Sequence, residues 1–177
     1  MNDKTSTNIK IPLPTGSSDP DKTSTSIRIN LKSVQAGKSV ESFPNDQTFL
    51  ILEDMDHLRS QMISDLKSIG VEGKILEAPC VQDALKLAAA EKVQFFISDW
   101  NLPDGTGLDF LKKVRSSEKY KTTPFIVCTT NDEIQYFLDA VANGANDFIV
   151  KPWTVEELKK KITLTWNGYL KKRGLAK

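Results

Sequence analysis

The sequence predicts a doubly wound α/β domain, with a five-stranded parallel sheet between helix layers, behind a polar N-terminal segment. From residue 46 onward, short apolar runs alternate with stretches of helical periodicity. The apolar runs are nearly continuous, which is typical of strands covered on both faces. Residues 1–45 are rich in Ser, Thr, Lys, Asn and Pro and hold one aromatic residue, Phe43. We therefore predict a flexible, low-complexity extension over 1–45, a folded domain over 46–172 and a C-terminal tail over 173–177.

The elements of the domain follow one another as strand, helix, strand, helix. The predicted strands are 48–52, 74–78, 93–98, 124–129 and 147–150. The predicted helices are 56–68, 81–92, 107–117, 132–144 and 154–174. Gly70 and Gly144 are typical stops for the first and fourth helices, and Asn167-Gly168 suggests a break in the last helix. Crossovers of this kind are right-handed and build a doubly wound sheet.

The N-terminal segment contains an internal repeat. DKTSTNIKIPL at 3–13 returns as DKTSTSIRINL at 21–31, an offset of 18, with eight of eleven positions identical. Each copy ends in an apolar alternation typical of a strand with one apolar face. The alternating residues are Ile9, Ile11, Leu13, Ile27, Ile29 and Leu31. A disordered arm and self-pairing stay open, and our hypothesis is a bivalent arm that docks a second partner by strand addition.

Composition restricts the classes of protein. The net charge is +1, which favours neither a nucleic acid nor a membrane surface as partner. The sequence has no apolar run near the ~20 residues needed to cross a bilayer, and its start lacks the apolar core of a signal peptide. Cys80 and Cys128 match no metal or redox spacing. We predict a cytoplasmic protein with reduced thiols, and interpret the basic end of the last helix as a solvated face.

Polar residues stand where four of the strands end. Glu53-Asp54 follow the first strand, Asp99 the third, Thr129 ends the fourth and Lys151 follows the fifth. In a flavodoxin-like strand order, 2-1-3-4-5, these four strands are neighbours, and their carboxyl ends line one ligand-binding edge. Acids this close together repel one another and favour a bound cation.

That row of side chains suits phosphoryl chemistry. Oxygen ligands of this kind suit Mg²⁺, and an ionised carboxylate beside it can attack a phosphoryl group. An ammonium and a hydroxyl would stabilise the charge on the transferring oxygens. Asp99 is the candidate acceptor, because it is central in the sheet and Pro103 and Gly105 then turn the chain sharply. The turn also allows the Asn101 carbonyl to face the metal.

With these residues in place, the domain resembles a response-regulator receiver domain of the CheY-like family. The resemblance covers about 46–172 and rests on Glu53-Asp54, Asp99 with the string DWNLPDGTG, Thr129 and Lys151-Pro152. Successive intervals of 45, 30 and 22 residues from Asp54 to Lys151 also fit that family.

The resemblance implies a role for each residue. Asp99 would be phosphorylated by a histidine kinase, with Mg²⁺ on Asp54, Asp99 and the Asn101 carbonyl, and with Glu53 holding the ion through water. Lys151 would contact the phosphoryl oxygens. The peptide bond from Lys151 to Pro152 would be cis. The remaining implied residues are Thr129 and Phe148 for the switch, and Asn101 and Asn131 for the phosphoryl lifetime.

The implied protein is a stand-alone response regulator of a two-component phosphorelay, with chemotaxis as one setting. It would signal by binding a target on the face of helix four, strand five and helix five, and would not be an enzyme beyond self-catalysed phosphotransfer and autodephosphorylation. A phosphate-sink or shuttle receiver would use the same residues.

Three alternatives come from other chemistries. A haloacid dehalogenase-like phosphatase would take Asp54-Met55-Asp56 as its D-x-D motif, with Asp54 as nucleophile. Flavin binding is disfavoured, because Glu53 and Asp54 would face the flavin phosphate. The lone histidine, His57, opens the first helix and is not expected to donate phosphate.

Overall fold

The structure is a computed structural model that describes residues 42–130 and 134–175. A five-stranded parallel sheet has the order β2-β1-β3-β6-β7, and a two-stranded hairpin, β4-β5, lies outside it. The strands are β1 Phe49–Leu52, β2 Ile75–Ala78, β3 Phe95–Asp99, β4 Asn101–Leu102, β5 Gly105–Thr106, β6 Phe125–Thr129 and β7 Asp147–Val150. The helices are α1 Asp56–Ser68, α2 Val81–Ala90, α3 Gly107–Ser116, α4 Ile134–Ala142 and α5 Val155–Lys172.

Setting the hairpin strands aside, this is the predicted 2-1-3-4-5 order, and the flavodoxin-like fold class is confirmed. Every pairing in the main sheet is parallel. The hairpin was predicted only as a turn, because two strands of two residues are too short for a periodicity to show.

Both faces of the sheet carry a hydrophobic core. Successive residues of β1 belong to different clusters: Leu50 packs with α2 and α3, whereas Phe49 and Ile51 pack with α1 and α5. The central strand β3 is buried along its whole length. Apolar side chains on both sides of each strand explain why the runs read as continuous rather than alternating.

The last helix is continuous, so the predicted break at Asn167-Gly168 is wrong. The Asn167 side-chain amide donates to the Thr163 carbonyl one turn earlier at 2.8 Å and to the Ser42 carbonyl at 3.2 Å. The Ser42 N–H returns a hydrogen bond to the Asn167 side chain at 3.0 Å. These contacts and the burial of Trp166 outweigh the weak local preference of Asn-Gly for a turn.

A half-buried arginine joins three elements at the edge of the sheet opposite to the carboxyl ends of its strands. The Arg115 guanidinium donates to the carbonyls of Gly144 at 3.0 Å and Tyr120 at 2.8 Å, and to the Asn146 side chain at 3.3 Å. The Asn146 side chain also accepts the Phe125 N–H at 2.8 Å. Arg115 therefore fixes α3 against the end of α4 and the start of β6, and no carboxylate among residues 42–130 and 134–175 forms an ion pair with it.

Several predictions concern residues outside the described ranges. These are the repeat at 3–13 and 21–31, Asn131, and the start of the fourth helix at 132. The domain boundary at 45/46 also stays a prediction, although Phe43 packs on the cluster formed with α1 and α5. Among the described helices, not one combines the length and the apolar character that a membrane crossing requires.

Candidate functional site

The structure brings the predicted strand-end residues together at one edge of the sheet. Glu53 and Asp54 follow β1, Asp99 is the last residue of β3, and Thr129 is the last residue of β6. Strand β3 lies between β1 and β6, so Asp99 is central. Glu53, Asp99 and Thr129 are buried, whereas Asp54 and Asn101 are exposed. The cluster therefore has a buried floor and an open rim.

A lysine crosses the floor of the site. The Nζ atom of Lys151 lies 2.5 Å from Oε2 of Glu53 and 3.0 Å from Oδ1 of Asp99. Its side chain is only 6% exposed. The backbone N–H of Lys151 donates to the Thr129 carbonyl at 2.8 Å, and the bond to Pro152 is cis, as the resemblance implies. One buried ammonium thus serves two carboxylates.

Burial and this ion-pair network set the pKa values of the three groups. Burial raises the pKa of Asp99 above its usual range, and the hydrogen bond from Lys151 offsets part of that rise. Burial likewise raises the pKa of Glu53, against the hydrogen bond from Lys151. Burial alone would lower the pKa of Lys151, but its bonds to Glu53 and Asp99 outweigh burial and raise it. Lys151 therefore stays charged at neutral pH.

The acidic residues fit a small divalent cation. Glu53, Asp54 and Asp99 each offer a carboxylate oxygen, and these oxygens lie within 4.8 Å of one another. Opposite ligands around Mg²⁺ are about 4 Å apart, because each bond is ~2.1 Å. Three hard oxygen donors with an open rim match the preference of Mg²⁺ for few protein ligands and several waters. A single lysine leaves these carboxylates with an excess of negative charge, which also favours a cation.

The loop after Asp99 is built by close backbone packing. The N–H of Gly107 donates to the Trp100 carbonyl at 2.8 Å. A Cβ at Gly107 would lie 2.1 Å from the Asp99 carbonyl oxygen, so only glycine fits there. Thr106 caps α3 by accepting from the N–H of Asp109, and the Asp109 side chain accepts from the N–H of Thr106 in return. The first turn of α3 therefore sits directly against the backbone of Asp99.

The two predicted switch residues lie on adjacent strands. Thr129 is 3% exposed at the end of β6, and Phe148 is partly buried on β7. The ammonium of Lys161 lies 4.8 Å from the centre of the Phe148 ring and 2.7 Å from Oδ1 of Asp147. Phe148 is thus held between the core and a cation on α5.

Two contacts near the site were missed from the sequence. Asp104 in the hairpin turn accepts the N–H groups of Val81 and Gln82 at 2.8 Å each, and so caps α2 from a distance. Trp153 donates its indole N–H to Asp65 of α1 at 2.9 Å. Neither contact has a local signal, because each joins residues that are far apart in the sequence.

Comparison with known proteins agrees with this geometry. A family model for the response regulator receiver domain matches residues 49–163. Chemotaxis protein CheY1 of Helicobacter pylori is 34% identical over 113 residues, covering 64% of this chain and 91% of that protein. The Chemotaxis protein CheY homolog of Campylobacter jejuni is 35% identical over 114 residues, with 64% and 87% coverage.

Solved structures give the same result. The chemotaxis response regulator CheY4 of Vibrio cholerae aligns with a TM-score of 0.63 at 29% identity, over 68% of this chain and 98% of that one. A CheY-like receiver domain protein of Methanospirillum hungatei aligns with a TM-score of 0.65 at 20% identity, over 72% and 98%, which supports the fold alone.

The chain belongs to the response regulator receiver domain family, and it is a response regulator of two-component signalling. Such proteins are signalling proteins rather than enzymes in the ordinary sense. The phosphatase alternative is not favoured, because the family and fold are those of receivers. In addition, the Asp56 side chain of its D-x-D motif is 89% exposed and pairs with Arg59.

Proposed function

We propose that this response regulator accepts a phosphoryl group on Asp99 from a histidine kinase and signals by binding a protein target in the phosphorylated state. The observation that carries the proposal is the Lys151 ammonium, 3.0 Å from a carboxylate oxygen of Asp99 and bonded to Glu53 within the same acidic cluster. A nucleophile, a cation for the transferring oxygens and an acidic metal cluster are the components that phosphoryl transfer needs.

The chemistry is a simple displacement at phosphorus. One carboxylate oxygen of Asp99 attacks the phosphorus, and the bond from phosphorus to the histidine nitrogen breaks, its electron pair staying on nitrogen. The product is an acyl phosphate, which water later cleaves to the Asp99 carboxylate and inorganic phosphate. Lys151 and the Thr129 hydroxyl stabilise the phosphoryl oxygens, while Asn101 and Asn131 tune the access of water and hence the phosphoryl lifetime.

Magnesium completes the proposed site. Asp54, Asp99 and the Asn101 carbonyl would bind Mg²⁺ directly, and Glu53 would bind it through water. The ion would supply neutralisation of the negative charge that gathers on the transferring group. Support comes from the clustered carboxylate oxygens and their open rim.

The proposed signal is a change of the face formed by α4, β7 and α5. Thr129 would move toward the phosphoryl group and Phe148 would follow it inward, which shifts a two-state equilibrium. Half-exposed apolar side chains on this face support a role in protein binding: Leu138 and Val141 on α4 and Leu164 on α5 are 49%, 45% and 52% exposed. Phosphate-sink or shuttle duty would use the same residues, and a cytoplasmic location, with neither nucleic acid nor membrane as partner, completes the proposal.

The N-terminal repeat is proposed to dock a second protein partner. Two copies on one chain would raise avidity through effective concentration, with Ile9, Ile11 and Leu13 of one copy, and their counterparts in the other, entering alternate pockets. Binding of the kinase or target by the full chain should weaken when residues 1–31 are deleted, and should weaken less when one copy remains. Unchanged binding after the deletion would end this hypothesis.

The phosphoacceptor is tested by mass spectrometry of the intact chain and its peptides after incubation with Mg²⁺ and acetyl phosphate. We expect one added phosphoryl group on the peptide with Asp99, which the Asp99→Asn variant lacks and which chelation of Mg²⁺ prevents. An adduct on Asp54, or none, would refute the assignment.

A further inference from the structure

A buried carboxylate lies close to the phosphoacceptor site without belonging to the acidic cluster. Asp65 on α1 is 7% exposed. Its Oδ2 accepts the indole N–H of Trp153 at 2.9 Å, and its Oδ1 accepts the side-chain amide of Gln61 at 2.8 Å. Among the described residues, no lysine or arginine forms an ion pair with Asp65. In the described part of the chain, the two carboxyl oxygens of Asp65 therefore receive hydrogen bonds from uncharged side chains, Trp153 and Gln61.

A buried carboxylate is a costly way, in desolvation free energy, to pack two elements together. A buried carboxylate keeps its charge only when its oxygens receive hydrogen bonds. An apolar pair of similar volume would join α1 to the loop after β7 without that desolvation cost. The hydrogen bond adds a fixed direction, since the indole has one N–H and must point it at Oδ2.

The direction of this hydrogen bond matters because the loop after β7 contains Lys151. Trp153 is two residues after Lys151, and the loop has further anchors on each side. Before it, the Lys151 N–H donates to Thr129, and after it, Thr154 caps α5 by accepting the Glu157 N–H at 3.1 Å. The bond to Asp65 ties the same loop to α1, the helix that begins just after Glu53 and Asp54. The Lys151 backbone is thereby fixed relative to the acids that its side chain bonds.

We propose that Asp65 and Trp153 are positioning residues for Lys151, holding its ammonium where it meets the phosphoryl group on Asp99. The proposal rests on the proposed phosphotransfer to Asp99. Trp153 also lines, with Leu58 and Val155, a groove of about 510 Å³ that reaches Lys151. Loss of the indole hydrogen bond frees the loop to shift away from α1, and the flexible lysine stem then samples positions out of reach of Asp99.

The test compares phosphorylation rates by acetyl phosphate in the full chain with saturating Mg²⁺. Trp153→Phe keeps an aromatic ring and removes the N–H, and Asp65→Leu keeps a similar volume while removing both acceptor oxygens. We expect each to lower the saturated rate about five- to tenfold, with the half-saturating donor concentration changed less. Trp166→Phe is the matched control: it alters another buried indole, on α5 and packed against Tyr169, and should leave the rate unchanged.

A double-mutant cycle separates positioning from mere stability. If the pair acts through Lys151, then Trp153→Phe added to Lys151→Met will lower the rate no further than Lys151→Met alone. Multiplying effects, or an unchanged rate in both Trp153→Phe and Asp65→Leu, would overturn the proposal. A wild-type chain that takes no phosphoryl group on Asp99 would instead refute the proposed function. Urea unfolding of each variant shows whether all remain folded under the assay conditions.

Discussion

Replacing Gly107 by alanine tests how tightly the loop after Asp99 is packed. The added Cβ would lie 2.1 Å from the Asp99 carbonyl oxygen, 3.0 Å from Oγ of Ser98 and 3.1 Å from the Asp99 carbonyl carbon. Ordinary van der Waals contact begins near 3.4 Å, so α3 and β3 must separate by about 1 Å. The obstructing oxygen belongs to the backbone of a buried strand and cannot rotate away, so we expect a cost near the upper end for overpacking, about 3 kcal/mol.

The same displacement should reach the chemistry. A shift of about 1 Å in a reacting group can slow a positioned reaction up to roughly 100-fold. We therefore expect Gly107→Ala to lower both the free energy of unfolding, measured in urea, and the rate of Asp99 phosphorylation by acetyl phosphate, measured by mass. The phosphorylation rates are compared without urea, at a temperature where the variant is folded.

Two other glycines serve as controls. A Cβ at Gly73 would lie equally close, 2.1 Å, to the Gln47 carbonyl oxygen, but at the opposite end of the sheet from Asp99. Gly73→Ala should therefore destabilise by a similar amount and leave the phosphorylation rate near that of wild type. Gly168, within α5, has nothing within 4 Å of an added Cβ, so alanine there should stabilise by about 0.5–1 kcal/mol. Equal rate losses in Gly107→Ala and Gly73→Ala would refute the steric reasoning.

Three further predictions concern single contacts. Asp104→Ala leaves two N–H groups at the start of α2 without their cap and should lower the free energy of unfolding in urea by about 1–2 kcal/mol. Asp104→Asn should lower it by no more than half of that amount. Arg115→Met removes three hydrogen bonds while keeping much of the side-chain volume, and should cost about 2–4 kcal/mol; a smaller loss than in Arg115→Lys would contradict this. Without Mg²⁺, Asp99→Asn should raise the free energy of unfolding in urea at pH 7, because burial disfavours the ionised Asp99 carboxylate. The sign follows from the raised pKa of Asp99 in the folded protein. The wild-type Asp99 contributes stability below its unfolded-state pKa and loses that contribution as the pH rises through its folded-state pKa. The higher stability of Asp99→Asn should therefore disappear in acid.

The sequence was enough to predict the fold and which strand ends face one another. Continuous apolar runs identify buried parallel strands, and the order of a doubly wound sheet then brings Asp54, Asp99, Thr129 and Lys151 to one edge. Each of these residues is next to a strand end, so a one-residue error in a boundary leaves the prediction intact. The predicted third strand, 93–98, became Phe95–Asp99 without changing the site.

The sequence could not predict how side chains pair across the site. The Lys151 ammonium lies closer to Glu53 than to Asp99, which depends on the length of the glutamate and the separation of the strands. The bond between Asp65 and Trp153 joins positions 88 apart, where no local pattern relates donor to acceptor. At Asn167-Gly168 a local turn preference was overruled by tertiary contacts, because a helix packed along the sheet gains more from burial than two residues lose.

The charge balance of the site connects its pKa values to its proposed use of Mg²⁺. Glu53, Asp54 and Asp99 carry three negative charges when ionised, and Lys151 supplies one positive charge among the contacts of this cluster. The pKa values of Glu53 and Asp99 are raised because burial outweighs the lowering effect of their ion pairs with Lys151. If Asp99 is phosphorylated as proposed, the phosphoryl group would add further negative charge to this cluster, and a bound cation would offset it. Because each event would relieve the electrostatic cost of the other, the proposal predicts that the cation and the phosphoryl group stabilise each other by the same factor.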